Sequence, residues 1–176
     1  VGSEMCIRDR PTPIAIVPFG FESEPSVERF DIGKVIKDDL IRSGRFAPIP
    51  EKDMLQKPIE GENVYFDDWS ILGVEAVLIG KLIQNQELNT FIFQFQLFDT
   101  FRRKQLIGFR LPVNSKNFRA AGHRAADIIY EELTGIKGIF STKVAYITAH
   151  QKNENLMENL IVSSLSLIHI SEPTRP

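Results

Sequence analysis

The chain has 176 residues, 43% of them hydrophobic and 25% charged, with a net charge of −2. That length suits one ordinary domain, or one plus a scrap, and the composition suits a packed core rather than a disordered tail. The balance lacks the basic excess of a nucleic-acid grip, no apolar run reaches the ~18 residues of a membrane helix, and the sole cysteine, Cys6, excludes an internal disulfide or a cysteine-based metal site.

The two ends need explaining before the elements between them. Val1 to Arg10 can be encoded by GTG GGC TCG GAG ATG TGT ATA AGA GAC AGG. The reverse complement of that strand, less its last base, encodes Leu165 to Thr174. Residues 1–10 and 165–176 are therefore expected to be artefacts derived from a sequencing-library adapter, read in opposite directions. On that expectation Met5, Cys6 and His169 carry no functional weight, and the lack of a legible signal peptide in residues 1–10 is uninformative.

Pro13 to Phe19 (Pro-Ile-Ala-Ile-Val-Pro-Phe) is a β-rich run that predicts a buried strand closed by Gly20. Glu22 to Glu28 is a polar loop. Ile32, Val35, Ile36 and Leu40 fall at helical spacing, with Lys37 and Asp38 on the wet side and Gly44 as terminator. Arg45 to Ile49 predicts a short edge strand, since Pro48 cannot donate to a ladder. Glu51 to Asn63 reads as loop. Asp67 or Asp68 is expected to cap a short helix through Trp69 and Leu72, ended by Gly73.

Val74 to Ile83 predicts a second buried strand. After a turn at residues 85–89, Phe91, Phe93, Phe95 and Leu97 alternate with Gln94 and Gln96, which predicts a strand with one buried face. Asp99 to Arg103 is a turn and Gln105 to Val113 the returning strand, so the three strands form an antiparallel meander. Asn114 to Asn117 opens a helix striped by Phe118, Ala121, Ala125, Ile128, Ile129 and Leu133 and ended by Gly135. Glu131 and Glu132 sit late on it, against the helix dipole, so packing must hold it. Lys143 to Thr148 is a last strand, with no visible partner after it. The order predicts an α/β fold: a mixed β-sheet packed with two longer helices and one short helix.

No catalytic, cofactor-binding or metal site residue emerges. Adjacent carboxylates at Asp38-Asp39 and Asp67-Asp68 could bind metal, but neighbours on a helix do not converge; the first pair reads as a solvated face and the second as a cap. His123 could be a general base, yet no Ser or Cys signature stands near it, so it reads as a histidine packed or hydrogen-bonded beside its helix. His150 forms no spaced ligand set with His123. Gly33-Lys34 lacks the phosphate-loop pattern and lies inside a helix. The 13 Phe read as core, and Arg102-Arg103-Lys104 as a solvated turn, weak evidence for nucleic acid.

Several segments together resemble the amino-terminal domain of the TolB family. They are Pro13 to Phe19, Asp31-Ile32-Gly33 with Asp39 to Phe46, Trp69 to Val77, Ala121 to Asp127, Leu133 to Phe140, and Lys143 to Ile147. The resemblance runs in order over residues 12–149. It implies a non-enzymatic periplasmic protein without cofactors, in which an α/β domain precedes a β-propeller. Such proteins link the inner-membrane Tol proteins (TolA, TolQ, TolR) to Pal, supporting outer-membrane integrity and constriction at cell division.

On this reading residues 11–140 are the α/β domain, and 141–164 begin a propeller that is truncated away. The segment that binds TolA and the propeller surface that binds Pal are both missing, so no partner-contacting residue transfers. Neither nucleic acid nor direct membrane insertion is expected. The lone strand at Lys143 to Thr148 is expected to expose an edge, and Gln151 to Ser164 matches no pattern. The competing reading is a stand-alone α/β ligand-binding or enzyme-accessory domain. A weaker one is nucleic-acid binding, because the TolB amino-terminal fold is similar to anticodon-binding domains.

Overall fold

In the computed structural model, the residues described are 10–21, 30–85, 90–152 and 155–164. The strand expected at 13–19 is β1, Thr12–Ile16, with Val17 still buried behind it. Gly20 does not close the run. Gly20–Phe21 form a two-residue strand, β2, which pairs in parallel with β4 at Lys81 and Leu82, beyond the stretch of β4 that β1 covers. The first helix, α1, is Ile32–Arg42. Its cap is Asp31, whose Oδ1 accepts from the Lys34 amide at 2.9 Å and satisfies one of the free donors of the first turn. The edge strand β3 is Phe46–Pro48.

Two single 3₁₀ turns, Glu51–Asp53 and Gly61–Asn63, break the loop that follows. The short helix α2 spans Phe66–Ile71, and neither aspartate caps it. Tyr65 occupies the cap position without a side-chain bond, and Asp67 and Asp68 lie in the first turn, where their charges favour the helix N-terminus. Strands β4 (Ala76–Asn85), β5 (Thr90–Asp99) and β6 (Lys104–Val113) form the antiparallel meander. After a 3₁₀ turn at Ser115–Asn117, α3 runs Phe118–Thr134. Gly44, Gly73 and Gly135 each follow a helix with φ near +70°, the left-handed conformation that lets a helix stop without a Cβ clash. The loop expected at 22–28 and most of the turn expected at 85–89 lie outside the described residues.

The sheet order is β3-β1-β4-β5-β6, with β2 beside β4; β1 is parallel to both β3 and β4, β2 is parallel to β4, and β5 is antiparallel to both β4 and β6. β1–α1–β3 steps one way along the sheet, and β3–α2–β4 steps back across β1. Right-handed crossovers in opposite directions put their helices on opposite faces. Two cores result. On one face, Ile14, Ile16, Leu78, Phe93, Phe95 and Leu97 pack under α1 and α3. On the other, Ala15, Val17, Val77, Ile79 and Phe98 pack around Trp69 of α2. Successive residues of β1 and β4 thus serve alternate cores.

One expectation about the last strand is overturned. β7, Lys143–Lys152, is paired: it runs antiparallel to β8, Asn155–Ser164, in a separate two-stranded sheet. Within Gln151 to Ser164, the described residues 151–152 and 155–164 are therefore strand, and each strand satisfies ladder groups the other would leave open. The origin expected for residues 1–9 and 165–176 concerns positions outside the described residues.

Candidate functional site

The two long helices meet along stripes of small and apolar residues. Ile32, Val35, Ile36, Asp39 and Leu40 are the buried positions of α1 besides Gly33, a 3-1-3-1 spacing that keeps one face inward. Asp39 thus lies on the core stripe, not on the solvated face expected for it; Asp38, one residue earlier, is the exposed member and pairs with Lys34 at 3.1 Å. Opposite, Gly122 lets α3 approach so closely that a Cβ there would stand 2.9 Å from Val35 Cβ.

One residue on, His123 faces Asp39. Its Nδ1–H donates to Asp39 Oδ2 at 2.5 Å, with His123 4% and Asp39 1% exposed. Arg42 Nη1, half exposed, reaches Asp39 Oδ1 at 3.4 Å. A histidine–carboxylate pair is the orienting half of a catalytic constellation, but a general base must reach the proton it takes. This imidazole is sealed between helices with its Nδ1 turned to the carboxylate. The reading of His123 as a packed, hydrogen-bonded histidine holds.

Beside this pair a cleft of about 370 Å³ is lined by Asp39, Arg42, Tyr130, Lys137, Ile139 and Phe140, among others. One wall is the end of α1; the other is the segment that leaves α3. Ile136 and Ile139 on that segment are 50% and 58% exposed. Tyr130 is held edge-on between Phe46 and Phe140, at centroid distances of 6.0 and 5.6 Å.

Asp127, one turn beyond His123 on α3, holds the departing segment. Its Oδ1 accepts from the Phe140 amide at 2.6 Å and its Oδ2 from the Ser141 amide at 3.0 Å. The other singled-out groups do not converge. Asp67 pairs with Arg103 at 2.5 Å, and Asp68 accepts from Gln56 at 3.4 Å. Arg102 pairs with Asp99 at 3.7 Å, so two of the three cations of the basic turn are matched by carboxylates. Gly33 and Lys34 lie in the first turn of α1, and His150 lies on β7, in the other sheet. Among the described residues no group of three or more His, Cys, Asp or Glu could hold a metal ion, and no helix is long and apolar enough to cross a membrane.

Sequence reasoning missed Asp39, Asp127 and Thr100. The period of α1 was the available signal for Asp39, since it lies seven residues beyond Ile32. For Asp127 nothing local betrays the bond to amides more than ten residues on. Thr100, wholly buried, donates its hydroxyl to the Val74 carbonyl and ties the β5–β6 turn to the start of β4.

A mixed sheet with helices on both faces, a buried histidine–carboxylate pair joining two of them and an exit into a second sheet define an α/β domain that leads into a separate β element. Residues 7–106 match the family described as the TolB amino-terminal domain. The chain is 45% identical over 136 residues to the Tol-Pal system protein TolB of Thioalkalivibrio sulfidiphilus, covering 77% of this chain and 31% of that protein. It is 37% identical over 147 residues to the protein of the same name in Pseudomonas putida, covering 84% and 33%. The crystal structure of TolB from Acinetobacter baumannii superposes with a TM-score of 0.74 at 28% identity, over 90% of this chain and 37% of that one. The chain belongs to the TolB amino-terminal domain family, and its relatives named Tol-Pal system protein TolB make it a Tol–Pal component. It spans about a third of the length of the curated relatives it matches.

Proposed function

We propose that this chain is the amino-terminal part of a periplasmic component that links the inner-membrane Tol proteins to Pal, in support of outer-membrane integrity and constriction during cell division. In this reading residues 11–140 are the α/β domain, 141–164 the start of a propeller, and 1–10 and 165–176 adapter-derived. The observation that carries it is the match to the relatives named Tol-Pal system protein TolB, which spans 77% of this chain at 45% identity. The exit from Phe140 into the separate β7–β8 sheet also supports it, because propeller blades are small antiparallel sheets.

The test begins with the source DNA across Pro11 and Ser164, expected to encode a signal peptide upstream and propeller repeats of about 40 residues downstream. The protein from that complete gene is then expressed in a strain lacking its own TolB. It is expected to restore resistance to detergent and to co-purify Pal, whereas the 176-residue chain does neither. A complete gene that restores nothing and retains no Pal would overturn the proposal.

A further inference from the structure

The segment from Thr134 to Thr142 carries the chain from α3 to β7, and it is anchored more densely than a connection of its length requires. The Gly135 amide donates to Glu131 O at 2.8 Å and the Ile136 amide to Thr134 Oγ1 at 3.2 Å. The Phe140 and Ser141 amides both donate to the Asp127 carboxylate, and the Thr142 amide donates to Ile139 O at 3.1 Å. Gly138 lies directly on α3: a Cβ there would stand 2.5 Å from Asp127 Cα, a backbone atom that cannot yield. Phe140 is 8% exposed and packs edge-on against Tyr130, one turn further along α3.

A flexible linker would need none of this. Loops that join independent bodies are solvated and leave relative motion free. Here one carboxylate accepts two successive amides, and charged acceptors make the stronger hydrogen bonds. His123 and Asp127 stand four residues apart on α3 and so share a side of it. One is bonded to α1 through Asp39, the other to the exit segment.

We infer that Asp127 is an exit latch: its carboxylate, with Gly138 pressed against it, fixes the direction in which the chain leaves the α/β domain for β7. A displacement of β7 is then delivered to α3, and through His123 and Asp39 to α1, instead of being absorbed in the connection. Asp127 is a positioning residue with no chemical step, and the latch stands whether or not the Tol–Pal role does.

Two variants of the 176-residue chain test this from opposite sides. Asp127→Asn keeps the shape but offers an acceptor to only one of the two amides. Gly138→Ala keeps the carboxylate's chemistry but pushes the segment off the helix, since the new Cβ would stand 2.5 Å from both Asp127 Cα and Oδ1. Amide hydrogen exchange and ¹⁵N relaxation are read residue by residue. In both variants exchange at Phe140 and Ser141 is expected to quicken about tenfold or more, the factor for one lost hydrogen bond of ordinary net strength. Exchange at Ile129 and Leu78 should stay unchanged, and β7 is expected to tumble with α3 in the parent chain but independently of it in both variants. Unchanged protection of Phe140 and Ser141 in Asp127→Asn would overturn the latch. So would a uniform rise across α3 and β4, which would make Asp127 a strut of the fold rather than a clamp on its exit.

Discussion

Replacing Asp39 with Ala removes the acceptor of a hydrogen bond whose donor stays sealed inside the protein. His123 is 4% exposed and cannot turn to water, so its Nδ1–H is left bare between α1 and α3. Leaving a buried donor without its partner costs ~1–3 kcal/mol, most of it the desolvation penalty on the stranded group. Against a total stability of ~5–15 kcal/mol this is a large fraction. With a urea dependence of ~1.5 kcal/mol/M, the unfolding midpoint should fall by about 1–2 M.

The cause is separated from simple cavity formation by a double-mutant cycle. His123→Ala alone should cost a similar amount, and the double variant far less than the two singles summed, with a coupling of ~1 kcal/mol or more. Arg42→Ala is the control: its guanidinium is half exposed and 3.4 Å from the same carboxylate, a geometry worth at most ~1 kcal/mol. Urea titration followed by circular dichroism, with Trp69 fluorescence as a second probe, reads all four variants. Single costs below ~1 kcal/mol, or additivity within ~0.5 kcal/mol, would refute the claim that this pair joins the helices.

Gly122→Ala should lower stability by ~1–3 kcal/mol, since the new methyl would stand 2.9 Å from Val35 Cβ and drive the helices apart; the companion change Val35→Ala should recover part of the loss in the same titration. Thr100→Val should cost ~1–2 kcal/mol by leaving the Val74 carbonyl without its hydroxyl partner, read as a fall in thermal midpoint. Asp67→Asn, which breaks an ion pair more than half exposed on both sides, should change stability by less than ~1 kcal/mol and lose even that effect in high salt.

What the sequence determined by itself is what depends on neighbours along the chain. The alternation of Phe91, Phe93, Phe95 and Leu97 placed one face of β5 in the core, because a strand's side chains repeat every two residues. The 3.6-residue period located α1 and α3 to within a residue or two, and the terminal glycines ended them. Only the tertiary structure decided which polar residues matter. Asp38 and Asp39 are adjacent and chemically alike, yet one is solvated and the other is sealed against a histidine 84 positions away. Asp127 looks like any surface aspartate of a helix until the exit segment folds back onto it. β8 escaped notice for a related reason: a ribbon strand pairs through its backbone, whose hydrogen-bonding groups are nearly the same at every residue. Local periodicity is a property of each element's own geometry, whereas the value of a buried charge is set by the partner that the fold brings to it.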